Sequence, residues 1–402
     1  MRLALLLAAA VFAGSALAQS RVPMTIRLDY HHRGGPGGER IEFDRVVAEG
    51  PWAGSLTQLV DTSGLGKYLV EVVDRRSGRV VYSRGFASLF AEWETTPEFK
   101  KGNQYFHESV RFPRPDGPVR VAIKKRNFKA VFEEIWNTDV DPRVLPSAGG
   151  RPQVGRLSPL FEHGPPHAKV DLLLISDGYL SGDLSKFRSD AARLIERLFE
   201  LEPFKTRRAD FNVRLLEIAG QALNVEYNIF GLERYALTQE NRVLRDIAGS
   251  APYDLVAILL NNSKFGGGGI FNQQSTVAAG NPAADYVFIH ELAHNLAGLG
   301  DEYVGNVTYE TGAPQTVEPW EPNITALLDP PGLKWRDLVE PATPIPTPMS
   351  YAGKVGAFEG AGYEARGLYR SEAECIMGSR KTIPFCRVCQ RAISRIIDLH
   401  TR

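Results

Sequence analysis

The segment "FIHELAHNLAGLGDEY", residues 288–303, decides the fold. His290 to His294 read H-E-x-x-H, and a helix places two histidines at this spacing on one face, where both can bind the same zinc ion. Glu291 lies beside the first histidine, where its carboxylate can accept a proton from a metal-activated water. Two histidines do not complete a zinc site, so the third ligand decides the class of protein.

The residues after His294 predict that the helix ends in a sharp turn. Gly298 and Gly300 favour the left-handed conformations that terminate helices, and Asp301 can then turn back toward the ion as an oxygen ligand. The metzincin pattern is H-E-x-x-H-x-x-G-x-x-H. This chain has one more residue before the glycine and keeps the interval from Gly298 to the third ligand. We therefore expect His290, His294 and Asp301 to bind the metal.

Other third ligands are compatible with the sequence. Glu302 is adjacent to Asp301, but the two side chains should point in opposite directions, and Glu302 is interpreted as a group that orients a histidine. A thermolysin-like site would instead take Glu310 or Glu318 from a later helix. The many Thr, Gly and Pro residues after Tyr303 argue against such a helix.

A methionine turn is predicted near the C-terminus. Met377 lies in "AECIMGSR", residues 373–380, downstream of the histidine motif and directly before a glycine, which fits a thioether platform beneath the two histidines. The three cysteines of the chain are close by. In an oxidising compartment we expect a disulfide bond from Cys375 to Cys386 or Cys389 to hold this turn.

The N-terminus predicts export. Residues 1–18 combine Arg2, an apolar run too short for a membrane span, and Ala16 and Ala18 as a small-residue cleavage site. We expect cleavage after Ala18 and a secreted or periplasmic protein with no membrane span. The 47 basic and 47 acidic residues balance and form no basic run, so nucleic acid is not an expected partner.

The rest of the chain divides into three parts by its pattern of strand, turn and helix signals. Residues 19–140 contain short β-rich runs between Gly and Pro and predict an all-β sandwich. Residues 141–167 are rich in Pro and Gly and predict a connection. Residues 168–402 alternate buried strands with helices and predict a largely parallel sheet. "KFGGGGIFNQQSTVAAGN", residues 264–281, is interpreted as a flexible loop and an edge strand able to pair with an extended peptide.

These motifs resemble the secreted metallopeptidases named after an IgA-cleaving member. The resemblance is carried by "HELAHNLAGLGDEY", "KWRDL", "PIPTP", "GAFEGAGYEARGLYR", "CIMGS" and "FCRVC", and by "GPWAGS" and "YSRGFASLFAEWETT" in the N-terminal part. It implies an α/β (mixed α+β) catalytic domain of the zincin or metzincin type, with a twisted mixed sheet, an active-site helix and a Met-turn, after an all-β sandwich. It also implies one zinc ion per chain, bound by His290, His294 and Asp301, with Glu291 as the base.

The function expected from these features is zinc-dependent hydrolysis of peptide bonds in a protein or peptide substrate. The tetrahedral intermediate of that reaction needs an oxyanion stabiliser. Tyr369 is the first candidate, and Arg370, Tyr303 and Tyr363 are others. Two alternative functions remain: a zinc amidase that acts on cell-wall peptides, and a binding protein in which the metal is structural.

Overall fold

The computed structural model describes residues 22–145, 154–305 and 316–401. The predicted export signal and Glu310 lie outside these ranges. Within them, no helix is both long and apolar enough to cross a lipid bilayer. The described chain is a mixture of α and β structure, with several sheets and few helices.

The N-terminal region consists of two antiparallel sheets packed on one core. The seven strands are β1 (Met24–Gly35), β2 (Gly38–Pro51), β3 (Tyr68–Asp74), β4 (Val80–Phe86), β5 (Gln104–Pro113), β6 (Val119–Arg126) and β7 (Phe132–Val140). Their orders are β2-β1-β5 and β4-β3-β6-β7. Inward side chains such as Leu28 and Val121 alternate with outward ones along the strands and meet in a shared core. A short helix, α1 (Leu89–Glu94), leaves this region toward the second one.

The second region is built around a six-stranded sheet. Its strands are β8 (Arg156–Phe161), β9 (Val170–Asp177), β10 (Phe211–Glu217), β11 (Leu255–Leu260), β12 (Gly267–Ile270) and β13 (Gln274–Ala278). The order is β12-β13-β11-β9-β10-β8. The four inner strands are parallel, as the alternation of strands and helices predicted, and both edge strands are antiparallel.

Strand β8 lies within the segment that the sequence predicted to be an irregular connection. Its Pro159 lacks an N–H group, and an edge strand tolerates this because only one side must hydrogen-bond. Because of this proline, the sequence did not predict β8, which belongs to the six-stranded sheet.

The remaining elements cover the sheet and its carboxyl end. The helices are α2 (Leu184–Leu198), α3 (Phe204–Arg207), α4 (Asn241–Ala248), α5 (Ala284–Ala297) and α6 (Arg387–Thr401). Three strands, β14 (Ile324–Thr325), β15 (Phe358–Ala361) and β16 (Glu364–Arg370), form a small separate sheet. Helix α5 carries the histidine motif and is apolar on nearly all sides, because it is enclosed by the sheet, α2 and α6.

Gly298 ends α5 as predicted. Its φ is 57°, and a Cβ there would lie 2.6 Å from the ring of Trp320. Both features exclude a side chain without a local shift. The chain consequently turns at this point and brings Asp301 back beside the helix.

We expect Gly298→Ala to lower the free energy of unfolding by about 1–3 kcal/mol, because alanine must adopt a strained φ and also displace Trp320. Thermal unfolding measured with the metal site saturated would show the loss as a reduced Tm. The matched control is Gly182→Ala, since Gly182 is exposed and a Cβ there would have no neighbour within 4 Å. Equal Tm values for the two variants would contradict this account of the turn.

Candidate metal centre and active site

Three donor atoms from the histidine motif converge on one point. His290 Nε2 and His294 Nε2 are 3.0 Å apart, and Asp301 Oδ1 lies 2.9 Å from the first and 3.5 Å from the second. Bonds of about 2.0–2.1 Å to a tetrahedral zinc would separate its ligand atoms by roughly 3.3 Å. The three donors are therefore spaced as neighbours on one zinc ion would be.

Backbone carbonyls fix the two imidazole rings. His290 Nδ1 is 3.4 Å from the carbonyl oxygen of Ile376, and His294 Nδ1 contacts that of Leu299. A carbonyl oxygen only accepts, so each Nδ1 must carry the proton, and each Nε2 keeps its lone pair for the centre of the site. The interpretation of Glu302 as the histidine orienter was wrong, because its carboxylate instead points toward the cysteines.

The electrostatics favour a cation between these groups. Burial opposes a positive charge on His294, yet the Asp301 carboxylate outweighs burial and raises the pKa of His294 to about 9. Burial likewise opposes a charge on Asp301, but the two histidines hold the pKa of Asp301 well below its usual value. The site thus favours a negative charge on Asp301 and a positive charge beside it, which suits a divalent metal ion.

Glu291 lies in the same cavity but outside the donor cluster. Burial raises the pKa of its carboxyl above the usual value. The cavity has a volume of about 450 Å³ and is lined by His290, Glu291, His294 and Asp301. A carboxyl group with a raised pKa beside a metal-type donor cluster is the combination that general acid–base catalysis requires.

Met377 lies in a tight turn directly before Gly378. Ile376–Gly378 is a single 3-10 turn, and the buried Met377 donates no atom to the cluster. The carbonyl oxygen of Met377 accepts a 2.9 Å hydrogen bond from the N–H of Glu302. The turn is therefore tied both to the segment after Asp301 and, through Ile376, to the first histidine.

The four candidates for the oxyanion stabiliser differ in whether they line the cavity. Tyr363 lines the cavity and donates its hydroxyl to Asp301 Oδ2, and Arg234 Nη2 lies 3.3 Å from the same hydroxyl. The hydroxyl of Tyr303 is committed to the carbonyl of Ser379 at 2.8 Å. Tyr369 and Arg370 lie on β16 and are not among the described residues that line the cavity. Of the four candidates, Tyr363 is therefore the one that lines the cavity, and the role of oxyanion stabiliser stays a prediction.

The rival ligand Glu318 is also separate from the cavity. Its carboxylate is 3.1 Å from Lys334 Nζ and accepts a hydrogen bond from the N–H of Ala326. It is therefore already paired within its own loop.

The N-terminal region contributes part of the cavity wall, which the sequence did not predict. Glu92 on α1 lies in the cavity and accepts a 3.0 Å hydrogen bond from Tyr235. Burial raises its pKa to about 7. The sequence carried one signal for this residue: in "LFAEWE", residues 89–94, Glu92 stands between apolar residues on both sides.

The run of glycines is part of the site and is not a flexible loop. Gly267 to Gly269 lie in β12, the edge strand. A Cβ on Gly269 would be 2.2 Å from the carbonyl oxygen of Glu291, and one on Gly267 would be 2.6 Å from Val287. Only glycine allows β12 to approach α5 this closely.

Fold and site together define a hydrolase-type centre, in which a metal-type donor set and a carboxyl group share an open cavity. A family model described as IgA Peptidase M64 matches residues 158–352 and 349–397, and one described as Peptidase M64 N-terminus matches residues 18–137. The chain belongs to this peptidase family, as the motifs indicated. Among curated proteins no match is found.

Proposed function

We propose that the chain is a secreted zinc-dependent endopeptidase with a metzincin-like catalytic domain. One observation carries the proposal: His290, His294 and Asp301 present three donor atoms beside Glu291 in a cavity large enough for a peptide. Membership of a peptidase family supports peptide bonds as the target. The domain division proposed with it is an export signal at 1–18, a β-sandwich at 19–140, a connection at 141–167 that includes strand β8, and a catalytic domain at 168–402.

In this mechanism a zinc ion at the three donors would acidify water and polarise the scissile carbonyl. Glu291 accepts the proton of the attacking water and later delivers it to the departing amine. Its buried position suits both steps, because a raised pKa makes the protonated form accessible. Arg234, whose Nη2 lies 3.3 Å from the Tyr363 hydroxyl, offers N–H donors to the negative charge that develops on the carbonyl oxygen. The Tyr363 hydroxyl adds a second donor when it turns from Asp301 Oδ2 toward that oxygen.

The substrate proposed is an extended peptide. Strand β12 is the edge of the sheet beside α5. Gly267 already exchanges hydrogen bonds with Arg234 and Ala236, so a substrate strand would pair at the Gly269 end of β12. An extended segment that pairs there would pass the donor cluster, as in β-strand addition. The described residues of the cavity do not specify an antibody hinge. The proposed target is therefore described by its backbone alone, as peptide bonds in extended protein segments.

Tyr363→Phe is expected to lower kcat by about 10²-fold, because one donor to the developing oxyanion is lost. KM should change little, since the ring still fills its place. Zinc affinity should fall by about 10-fold, because Asp301 loses the hydroxyl that orients it, so activity is measured with zinc in excess. Tyr369→Phe serves as the matched control and should retain activity, because Tyr369 lies outside the cavity. Steady-state kinetics on a fluorogenic peptide would measure both variants. The reverse ranking of the two would return the role to Tyr369.

The function itself is tested with casein and with purified cell-wall peptide fragments. An endopeptidase should cleave casein, lose the activity to a chelator, and recover it when zinc is added back. Cleavage of the wall fragments alone would instead support an amidase. Failure to cleave either one after zinc supplementation, despite bound zinc, would support a binding protein.

A further inference from the structure

A second cluster of metal-type donors lies behind the first. Glu302, Cys375, Cys386 and Cys389 each offer one ligand atom, and all four atoms lie within 4.8 Å of one another. The residues come from the segment after Asp301, the Met-turn and the start of α6, and all four are buried. The peptidase mechanism uses none of them.

The distances do not fit the disulfide bond that the sequence predicted. Cys375 Sγ and Cys389 Sγ are 3.8 Å apart, all three cysteines are free, and all three lie within residues 316–401. A disulfide bond is about 2.05 Å long. The expected bond is therefore not formed, and its prediction was wrong for this structure.

The same distances fit a tetrahedral metal. Bonds of about 2.3 Å from zinc to sulfur place two sulfurs roughly 3.8 Å apart, and a sulfur and an oxygen roughly 3.5 Å apart. Cys375 and Cys389 match the first value at 3.8 Å. Cys389 Sγ and Glu302 Oε1 match the second at 3.5 Å, while Cys386 Sγ lies 4.0 Å from that oxygen.

The carboxylate of Glu302 supplies independent support. The residue is 2% exposed, and Asn323 donates a 2.9 Å hydrogen bond to Oε1. Oε2 has no hydrogen-bond partner in the described part of the chain. A buried carboxylate that faces three thiols with one oxygen unsatisfied is costly unless a cation accompanies it.

Hydrogen-bond donors surround the sulfurs. The N–H of Cys386 lies 3.3 Å from Cys375 Sγ, and the N–H of Cys389 lies 3.4 Å from Cys386 Sγ. The hydroxyl of Ser371 is 3.2 Å from Cys386 Sγ. Donors of this kind stabilise thiolates and orient them toward a metal.

We propose that Glu302, Cys375, Cys386 and Cys389 bind a second, structural zinc ion. Three thiolates with one carboxylate, fully enclosed and with no open position, form the donor set of a structural zinc site. Binding releases the thiol protons to solvent. The odd number of cysteines, which no pairing into disulfides could satisfy, is then accounted for.

The position of this site suggests that it stabilises the active site. Glu302 follows Asp301 directly, and Cys375 precedes the turn whose carbonyl holds His290. Gly378 packs so closely on Glu302 that a Cβ there would lie 3.1 Å from the Glu302 backbone oxygen. A second ion would therefore fasten the third ligand of the active site to the Met-turn.

The test is zinc content, measured on the purified full chain by elemental analysis with native mass spectrometry. We expect about two zinc ions per chain in the wild type, and about one in both Cys389→Ser and the double variant His290→Ala/His294→Ala. The double variant isolates the second site, so failure of the proposed peptidase function does not affect the result. About one ion in the wild type with none in the double variant would overturn the proposal.

Cobalt substitution of the wild type and the double variant keeps the test decisive if Cys389→Ser does not fold. Three thiolates should give intense sulfur-to-cobalt charge-transfer absorption in both proteins, whereas the histidine site cannot produce it. Absence of that absorption would overturn the proposal. A mass lower by two hydrogens in the unreduced wild type would do the same, because it would identify a disulfide bond.

Discussion

Glu291→Gln is expected to lower kcat/KM for peptide hydrolysis by about 10²–10⁴-fold and to leave the zinc content unchanged. Glutamine keeps the shape of the side chain but cannot accept a proton. The shape of the side chain matters because Glu291 packs closely against the edge strand. A Cβ on Gly267 would lie only 3.2 Å from Glu291 Cγ. The loss should therefore report the proton transfer and not a rearranged cavity.

The control for this variant is Asp285→Asn, the same chemical change on the same helix. Asp285 pairs with Arg193 and Arg197 on the outer side of α5, away from the cavity. Its substitution should leave kcat/KM nearly unchanged, since exposed ion pairs contribute little. If Glu291→Gln retained most of the activity, Glu92 or Glu321 would become the candidates for the base, because both are partly buried in the cavity and have a raised pKa.

The elements predicted best were those whose cause is local. Uninterrupted apolar runs predicted the parallel strands, such as β9. The spacing of His290 and His294 predicted that both histidines lie on one face of α5. The turn at Gly298 and the return of Asp301 followed from glycine's access to positive φ. In each case neighbours in sequence determine the geometry.

The parts that were missed depend on contacts between distant segments. Four consecutive glycines indicate flexibility by composition, yet three of them lie in strand β12, where Gly267 and Gly269 pack directly against α5. The cysteines that face Glu302 are 73 or more positions away along the chain, so sequence adjacency suggested a histidine instead. Glu92 joins the cavity only because α1 of the N-terminal region packs against the second region.

Asp301→Ala is expected to weaken zinc binding at the histidine site by more than about 10²-fold, because loss of a direct ligand should exceed the loss caused by removing an outer partner. Peptidase activity should fall below detection at ordinary zinc concentrations. Two further effects add to the loss: Asp301 lies 2.9 Å from His290 Nε2 and accepts from Tyr363, so both groups lose their partner.

Asp301 and Glu302 are adjacent in sequence, but Asp301 belongs to the histidine cluster and Glu302 to the cysteine cluster. Glu302→Ala is therefore the variant to compare with Asp301→Ala. Both substitutions should remove one zinc ion, but different ones. Asp301→Ala should keep the thiolate-to-cobalt absorption of the cysteine cluster, while Glu302→Ala should weaken it and retain the ion at the histidines. If Glu302→Ala instead emptied the histidine site while Asp301→Ala left it filled, the third ligand would be Glu302 and the assignment of both clusters would be wrong.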